Sequence, residues 1–414
     1  MKLPINQILC GDALEMLKTL PDESINCCIS SPPYWALRDY GVEGQLGLEP
    51  TFEEYIDKLC NIYDEVKRVL RKDGTCWVNL GDTYSTVSGR MATDIKQPKE
   101  TNHQSTHFKQ PKTKLPEKSL CLIPQRFAIE MVNRGWILRN TIIWHKPNPM
   151  PSSAKDRFTV DFEYVYFFSK NKQYFFEPIY EEQTGNSHSK GSKLHPPIED
   201  AGVGHKDWHK YTPEVELPLG RNKRTVWTIP TQPFPEAHFA TYPEKLVEPM
   251  IEAGCPMYVC TKCGKPRKKV YEKGESIPTG HGPSKKWTEV IKDYRGEKST
   301  ETSCLATGDI PQKLFKGYSD CGCNAELKAG IVLDPFAGSG TTLHVAARMK
   351  RDFLGIELNP QYITEIAEYR VQKGLTGVTI QESKLGQGAL FDSVDSVTSV
   401  PSDFGELSRV VAGK

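Results

Sequence analysis

The stretch Ile331-Val332-Leu333-Asp334-Pro335-Phe336-Ala337-Gly338-Ser339-Gly340-Thr341-Thr342 decides the fold of this 414-residue chain. Its first three residues are apolar and predict a buried strand, and its two glycines predict a tight turn into a helix. A strand that leads through a Gly-rich turn into a helix is how α/β sheets hold a nucleotide-like cofactor at their carboxyl edge. The plainer interpretation is the same turn without a ligand.

A second strand with an acidic end supports the cofactor interpretation. The helix predicted over 341–349 is followed by Phe353-Leu354-Gly355-Ile356-Glu357, an apolar run that predicts a strand ending in a carboxylate. A carboxylate accepts hydrogen bonds from both hydroxyls of a ribose, and the spacing from Gly340 to Glu357 is near that of nucleotide-binding units. A surface acid at a strand end is the alternative for Glu357.

The second motif is Ser31-Pro32-Pro33-Tyr34, near the start of the chain. It follows Ile25 to Ile29, an apolar run that again predicts a buried strand. A polar residue followed by two prolines and an aromatic forms a rigid edge that can face a flat base. Together the two motifs indicate an enzyme that transfers a group from a nucleoside cofactor to a nucleobase. A Pro-Pro turn with a packed tyrosine is the alternative.

The composition is that of a globular protein. The hydrophobic fraction is 38% and the charged fraction 25%, and the length predicts about two to three domains. The net charge of +1 excludes nothing, but six lysines against two acids in 96–118 and ten basic residues against four acids in 262–295 fit a polyanion-binding face. Solvated lysine-rich loops explain either stretch equally well.

No apolar run approaches the ~20 residues of a membrane span, and the N-terminus lacks the apolar core of a signal peptide. We therefore expect a cytoplasmic protein without a membrane partner. Twelve cysteines would be compatible with disulfides, but Cys27, Cys28 and Cys76 lie inside strand-like runs, as small buried residues do. In a reducing compartment the remaining cysteine pairs are candidate metal ligands.

Taken together, the two motifs resemble the amino-group DNA methyltransferases that use S-adenosylmethionine. Their order, with Ser31-Pro-Pro-Tyr34 ahead of the Gly-rich turn, resembles the circularly permuted β class of that family, over most of residues 7–180 and 225–373. The resemblance implies an α/β fold with a Rossmann-like methyltransferase sheet, mixed but largely parallel and seven-stranded. The cysteine pairs add a small zinc-binding insertion to this expectation. It implies double-stranded DNA as the partner, and it leaves a homodimer and a cognate restriction endonuclease open, in a bacterium or its phage.

The expected domain boundaries combine this resemblance with shifts in composition and periodicity. An amphipathic helix over 52–70 closes at Asp73-Gly74, and a strand follows over 75–80. The segments are a catalytic half at 1–180 with a polar loop at 84–118, part of a target-recognition insert at 181–224, a cofactor-pocket helix at 225–257, a zinc-binding insertion at 258–328, a cofactor-binding half at 329–384 and a flexible tail at 385–414.

The resemblance also assigns the cofactor residues. In the family the Gly-rich turn holds the methionine end of the cofactor, and this maps onto Asp334, Phe336, Gly338, Gly340 and Thr341. The acid after the next strand, Glu357, holds the ribose. The acid after the first strand, Asp12, contacts adenine, although its local sequence predicts only the N-cap of a helix over 13–20.

The Ser-Pro-Pro-Tyr motif carries the chemistry. An exocyclic amino nitrogen is conjugated with its ring, and acceptors aimed at its protons favour the more nucleophilic tetrahedral form. Ser31 Oγ and the backbone carbonyl of Pro32 are the expected acceptors, with Pro33 completing the rigid edge. Tyr34 stacks on the extruded base.

The first residue of that motif favours one base. In the family, Ser-Pro-Pro-Tyr is typical of N4-cytosine enzymes and Asp-Pro-Pro-Tyr of N6-adenine enzymes. We therefore expect N4 of cytosine, with N6 of adenine as the alternative. Carbon-5 chemistry needs a cysteine nucleophile, usually in a Pro-Cys step, and the chain has no such step. A non-catalytic zinc-containing DNA-binding protein on a methyltransferase scaffold, or an RNA substrate, is a further alternative.

Two close cysteine pairs predict a structural zinc site. Cys260, Cys263, Cys321 and Cys323 supply four thiolates, and Cys-x2-Cys followed by glycine is the shape of a zinc knuckle. Cys255 and Cys304 are substitutes, and scattered reduced cysteines are the alternative. The site would hold a basic module beside the active site, formed by Arg267, Lys268, Lys269, Lys285 and Lys286.

Recognition of the DNA sequence is expected in 150–225, where β-class enzymes carry their variable target-recognition region. Candidate contacts are His205, Trp208, His209 and Arg221, although each of them, considered alone, is better explained as a surface residue. The loop 84–118 could fold over DNA on binding.

Overall fold

A computed structural model describes residues 3–37, 39–85, 113–181, 221–232, 241–278 and 309–377, without the side chains of Arg221, 273–278 and 309–313. Several predictions from the sequence lie outside these residues: the interior of the 84–118 loop, most of 181–224, the centre of the 258–328 insertion, the 385–414 tail, and Cys304, Lys285, Lys286, His205, Trp208 and His209. In the described part of the chain, no helix is long and apolar enough to span a bilayer.

Fourteen strands are present in the described residues. Numbered along the chain, they are β1 (Gln7–Cys10), β2 (Ile25–Ser30), β3 (Leu70–Leu80), β4 (Ile137–His145), β5 (Phe162–Ser169), β6 (Tyr180–Glu181), β7 (Arg221–Asn222), β8 (Val226–Thr228), β9 (Val259–Cys260), β10 (Lys269–Pro278), β11 (Asp309–Tyr318), β12 (Leu327–Lys328), β13 (Ile331–Asp334) and β14 (Asp352–Glu357).

The main sheet has eight strands in the order β1-β14-β13-β2-β3-β5-β4-β8. The first five are mutually parallel, β5 runs antiparallel to both of its neighbours, and β8 is parallel to β4. The sheet is therefore mixed and largely parallel, as expected, but it has one strand more than predicted. The extra strand is the three-residue β8, which is too short to show a periodic pattern.

Helices cover both faces of this sheet. They are α1 (Ala13–Thr19), α2 (Phe52–Val69), α3 (Ile123–Asn133), α4 (Glu244–Gly254), α5 (Thr341–Arg348), α6 (Pro360–Tyr362) and α7 (Glu368–Thr376). The first three pack on one face and α4, α5 and α7 on the other. Neighbouring residues of β2 show this arrangement, since Cys28 belongs to the first core and Cys27 to the second.

One predicted boundary is wrong for a reason of tertiary packing. Helix α2 ends at Val69, as predicted to within one residue, but the strand begins at Leu70 rather than at Thr75 because Leu70 is buried and pairs with Ile25 of β2. The helix predicted over 360–373 contains a π-helical turn at Ile363–Ala367. This turn packs on the Gly-rich loop, a contact that local sequence does not show.

The parallel strands bring the two motifs to one edge. Strand β13 pairs with β2 on one side and with β14 on the other, so the residues that follow all three strands lie at neighbouring carboxyl ends. Cys10 of β1 pairs with Glu357, which extends the same edge towards Asp12. The topology therefore juxtaposes Ser31, Asp334 and Glu357 although the sequence separates them widely.

Candidate active site

The Gly-rich turn is built around one carboxylate. Gly338 adopts φ +51° and donates its backbone N–H to Glu357 Oε2 at 2.7 Å, while Asn359 N–H donates to Glu357 Oε1 at 2.8 Å. Gly340, with φ +75°, lies where a Cβ would approach Ala367 Cβ to 3.1 Å. The turn therefore needs glycine both for its backbone angles and for its contact with the π-helical turn. Burial raises the pKa of Glu357.

Asp334 ends β13 as an almost fully buried carboxyl. It accepts hydrogen bonds from Phe336 N–H at 3.0 Å and from the Tyr242 hydroxyl at 3.3 Å. The Tyr242 hydroxyl also bonds Thr342 Oγ1. Burial raises the pKa of Asp334 to about 7, against the opposing effect of these donors. Tyr242 was not named from the sequence, although the segment that contains it was expected to close the cofactor pocket.

The Thr341 hydroxyl is engaged within the protein. Arg370 Nη1 donates to Thr341 Oγ1 at 2.7 Å and to Ser339 Oγ at 2.9 Å, and so binds the turn from the side of α7. Arg370 Nη2 reaches Glu244 Oε1 at 3.3 Å. Hydrogen bonding to His344, with further cations nearby, lowers the pKa of Glu244 to about 2, so this carboxylate stays charged. Arg370 could not be identified from the sequence, because an arginine within a helical pattern does not indicate a contact with the Gly-rich turn.

Asp12 lies at the same edge, two residues beyond the β1 residue that pairs with Glu357. Its Oδ1 accepts the Glu15 backbone N–H at 3.0 Å, so Asp12 is the N-cap of α1. The local interpretation of Asp12 as an N-cap is therefore correct. Its role towards adenine stays a prediction from the resemblance.

Next to the Gly-rich turn, the Ser-Pro-Pro-Tyr motif is held by a network of polar side chains. The Tyr34 hydroxyl donates to Glu163 Oε2 at 2.7 Å and lies 3.2 Å from Asn79 Oδ1. Ser31 Oγ donates to Asn79 Oδ1 at 3.4 Å. Burial and the charge of Glu163 raise the pKa of Tyr34 well above its ordinary value, so the hydroxyl stays protonated. Lys146 pairs with the other oxygen of Glu163.

Asn79 determines which way the Ser31 hydroxyl points. Its Nδ2 donates to Glu163 Oε2 and to the Tyr164 carbonyl, both at 3.1 Å, so its Oδ1 is the atom that faces Ser31. A serine hydroxyl has one proton and two lone pairs. Because the proton is directed to Asn79, the lone pairs of Ser31 Oγ are left to accept hydrogen bonds from another group.

The backbone carbonyls of Pro32 and Pro33 differ in their hydrogen bonding. Pro33 C=O accepts the Tyr55 hydroxyl at 2.8 Å. No group in the described ranges donates to Pro32 C=O. Gly81 faces the Tyr34 ring, and a Cβ there would lie 2.6 Å from Tyr34 Cε2. The site therefore offers two acceptors, Ser31 Oγ and Pro32 C=O, beside an aromatic ring.

The four predicted cysteine ligands also come together. The sulfur atoms of Cys260, Cys263, Cys321 and Cys323 all lie within 4.8 Å of one another. Zn–S bonds of about 2.3 Å in a tetrahedron require sulfur atoms about 3.8 Å apart, so the cluster has the size of such a site. Gly264 N–H donates to Cys260 C=O at 2.9 Å, which closes a tight turn. Cys255 is buried outside the cluster.

The described part of the insertion does not lie beside the active site, so the expected position of the cysteine cluster and of Arg267, Lys268 and Lys269 is wrong. The Gly264 carbonyl accepts from Arg71 Nη2 at 2.8 Å, at the beginning of β3. Lys269 pairs with Glu252 at the end of α4, 3.5 Å away. The beginnings of parallel strands lie at the edge opposite their carboxyl ends. The cysteine cluster therefore lies at the edge of the sheet opposite the one that carries Ser31.

Comparison with known proteins finds a family model and relatives that match most of this chain. A family model described as DNA methylase, of the N6/N4 type, matches residues 25–260 and 258–368. Type II methyltransferase M.Cfr9I of Citrobacter freundii is 33% identical over 89% of this chain and 88% of its own length. Type II methyltransferase M.XycI of Xanthomonas campestris pv. cyanopsidis is 34% identical over 86% and 85%, respectively. Among solved structures, the cytosine-N4-specific PvuII DNA methyltransferase has a TM-score of 0.46 at 18% identity, covering 90% of this chain and 93% of that one.

The chain therefore belongs to the N6/N4 DNA methylase family, whose members are methyltransferases that modify amino groups of DNA bases. The family and the α/β methyltransferase fold expected from the two motifs are confirmed.

Proposed function

We propose that this protein transfers a methyl group from S-adenosylmethionine to N4 of a cytosine that has been flipped out of double-stranded DNA. The observation that carries the proposal is the hydroxyl of Ser31, which donates to Asn79 and therefore presents lone pairs to the substrate. A neutral acceptor of this kind suits an amino group attached to a base.

The residues at the sheet edge fit the cofactor. S-adenosylmethionine supplies an electrophilic methyl group on a sulfonium. Glu357, whose two oxygens are fixed by backbone donors, would accept the ribose hydroxyls, and Asp12 would lie near the adenine. Asp334, Phe336 and the turn from Gly338 to Thr341 would hold the methionine end. The left-handed glycines allow the backbone to approach a ligand closely.

At the base, Ser31 Oγ and Pro32 C=O would accept the two amino protons. Both acceptors draw electron density towards the nitrogen and favour the tetrahedral geometry that reacts. The Tyr34 ring would stack on the flipped base while its hydroxyl remains bonded to Glu163. Because Asn79, Glu163 and Lys146 hold these groups before substrate arrives, little reorganisation is needed at the moment of transfer.

The choice of cytosine rests on Ser31. A serine in the first position of the motif is typical of N4-cytosine enzymes in the family, whereas N6-adenine enzymes carry aspartate there. Adenine is the competing substrate, and the same acceptors would serve its amino group.

The four clustered thiolates would hold a structural zinc ion. Four protein ligands leave no position for water or substrate, so this ion would stabilise the fold of the insertion and take no part in methyl transfer. The position of the cluster, at the edge of the sheet opposite the active site, agrees with a structural role.

Expression in a bacterial strain that lacks DNA methyltransferases, followed by single-molecule sequencing of its DNA, tests the proposal. We expect modified cytosines within one short sequence. Modified adenines in such a sequence would overturn the choice of cytosine and identify N6 of adenine as the target. Unmodified DNA from cells that contain soluble protein would overturn the proposal as a whole.

A further inference from the structure

Three large apolar side chains are exposed in the segment that joins β4 to β5. Met150 is 74% exposed, Phe158 95% and Val160 51%. A fully exposed phenylalanine forgoes the stabilisation of apolar burial, and several exposed apolar side chains in one segment can mark a binding surface. A partner that covers this segment would therefore recover apolar burial, with Phe158 as its most prominent contact.

The segment lies at the active-site edge. Glu163, which accepts the Tyr34 hydroxyl, is five residues beyond Phe158, and five residues span at most about 18 Å. On the other side, the Arg157 guanidinium lies 3.6 Å from the centre of the Tyr84 ring, three residues after Gly81. The segment that carries Phe158 is therefore anchored on one side by Glu163, which contacts Tyr34, and on the other by the contact of Arg157 with Tyr84.

The charges around Phe158 fit a nucleic acid. Lys155 and Arg157 precede it by three residues and by one, and Lys118 is drawn to the same loop by a 2.8 Å ion pair with Asp156. An apolar tip with cations at its base matches the cross-section of a duplex, where phosphates lie outside and the stacked bases inside. A protein partner that covered Phe158 with apolar side chains would not account for the cations beside it.

We propose that Phe158 enters the DNA duplex and occupies the space that the target base leaves when it is flipped out. There the ring would stack on the neighbouring bases and offset part of the cost of unpairing. Lys155 and Arg157 would contact the phosphates beside the gap. This inference rests on the proposed function, since it requires a flipped base.

The test compares single-turnover methyl transfer by the wild type, F158A, F158W and the control I129A. Ile129 is 62% exposed on α3 and provides a large-to-small change at an exposed apolar residue of another element. Each protein is given two duplexes that carry the methylation site mapped by sequencing. In one the target base is paired, and in the other it is mismatched and already unpaired.

We expect F158A to be slower than wild type by about 10- to 100-fold on the paired duplex, the size of one base–aromatic stacking contact, and by less than about 3-fold on the mismatched duplex. F158W should retain most of the rate and I129A all of it. An undiminished rate for F158A on the paired duplex would overturn the inference, as would an equal loss on both duplexes. Absence of methyl transfer by the wild type would instead remove the proposed function, and this inference with it.

Discussion

The hydroxyl of Tyr34 donates a 2.7 Å hydrogen bond to Glu163 Oε2, across 129 residues of sequence. The bond fixes the aromatic ring of the Ser-Pro-Pro-Tyr motif against the beginning of β5. The same carboxylate oxygen accepts from Asn79 Nδ2 at 3.1 Å, and Asn79 in turn receives the Ser31 hydroxyl. One carboxylate therefore orients both the stacking residue and the acceptor.

The first prediction concerns the coupling of Ser31 and Asn79. Because Asn79 directs the Ser31 proton away from the substrate, Asn79→Ala should lower kcat by about 10- to 100-fold, and Ser31→Ala should lower it by a similar or larger factor. The double variant should be little slower than Ser31→Ala alone, since both changes remove the same function. Steady-state kinetics on DNA that carries the mapped site would measure this.

Multiplicative losses in the double variant would show that the two residues act separately and would contradict the proposed orientation of the hydroxyl. Asn61→Ala is a suitable control for a lost asparagine, since Asn61 is a half-buried residue of α2 whose side chain bonds Asp57 and Arg134 and not the motif.

The second prediction concerns Arg370, which binds Ser339 and Thr341 in the Gly-rich turn. Without Arg370 the turn would lose two of its fixed hydroxyls, so Arg370→Ala should weaken binding of S-adenosylmethionine by about 10-fold or more. Arg348 also pairs with Glu244, at 2.8 Å, and its second guanidinium nitrogen pairs with Glu248 rather than with the turn. Arg348→Ala should therefore leave affinity within about 3-fold. Calorimetric titration with the cofactor separates the two, and equal losses would refute the role of Arg370.

The third prediction concerns the pH dependence of stability. Burial raises the pKa of Asp334 to about 7 in the folded protein, against about 3.9 in the unfolded chain. Between these values the folded state binds more protons than the unfolded state, so this group lowers stability as pH rises from about 4 to about 7. Asp334→Asn removes that dependence.

The difference in Tm, Asp334→Asn minus wild type, should accordingly increase as pH rises through that range. Thermal unfolding by circular dichroism would measure it, with the exposed Glu53→Gln as a control for a lost charge. A difference in Tm that stays constant with pH would show that Asp334 ionises in the folded protein as it does in water.

The fourth prediction concerns the cysteine cluster. The purified protein should contain one zinc ion per chain, and Cys260→Ser should reduce the zinc content and lower the Tm by several degrees. Cys10 is exposed and lies outside the cluster, so Cys10→Ser should keep the metal. Elemental analysis by mass spectrometry gives the zinc content. A full equivalent of zinc in Cys260→Ser would exclude this ligand set.

The two motifs could be located from the sequence because their signals are local. A strand, a Gly-rich turn and a helix follow one another over 331–348, and the Ser-Pro-Pro-Tyr motif directly follows its own strand. The order of strands in a parallel sheet then brings both to one edge. The cysteine pairs were also visible, because close spacing of ligands is itself a sequence signal.

The groups that support these motifs could not be found in this way. Glu163 and Asn79 lie on strands whose hydrophobic patterns show only that the strands are partly or fully buried. The bonds of both residues to Tyr34 depend on the antiparallel register of β3 and β5, which the sequence does not show. Arg370 contacts the Gly-rich turn from a helix that follows a π-helical turn, and local sequence shows neither feature. The cysteine cluster was expected beside the active site and lies at the opposite edge of the sheet, because composition indicates a basic segment but not its position.

The central claim is that Ser31 and its neighbours position the amino group of a cytosine for methylation. It is tested most directly by incubating unmethylated DNA with the purified protein and S-adenosylmethionine that carries a deuterated methyl group, followed by mass spectrometry of the nucleosides. The account predicts labelled N4-methylcytosine and no other labelled base. Labelled N6-methyladenine in its place, or DNA without any label, would contradict it.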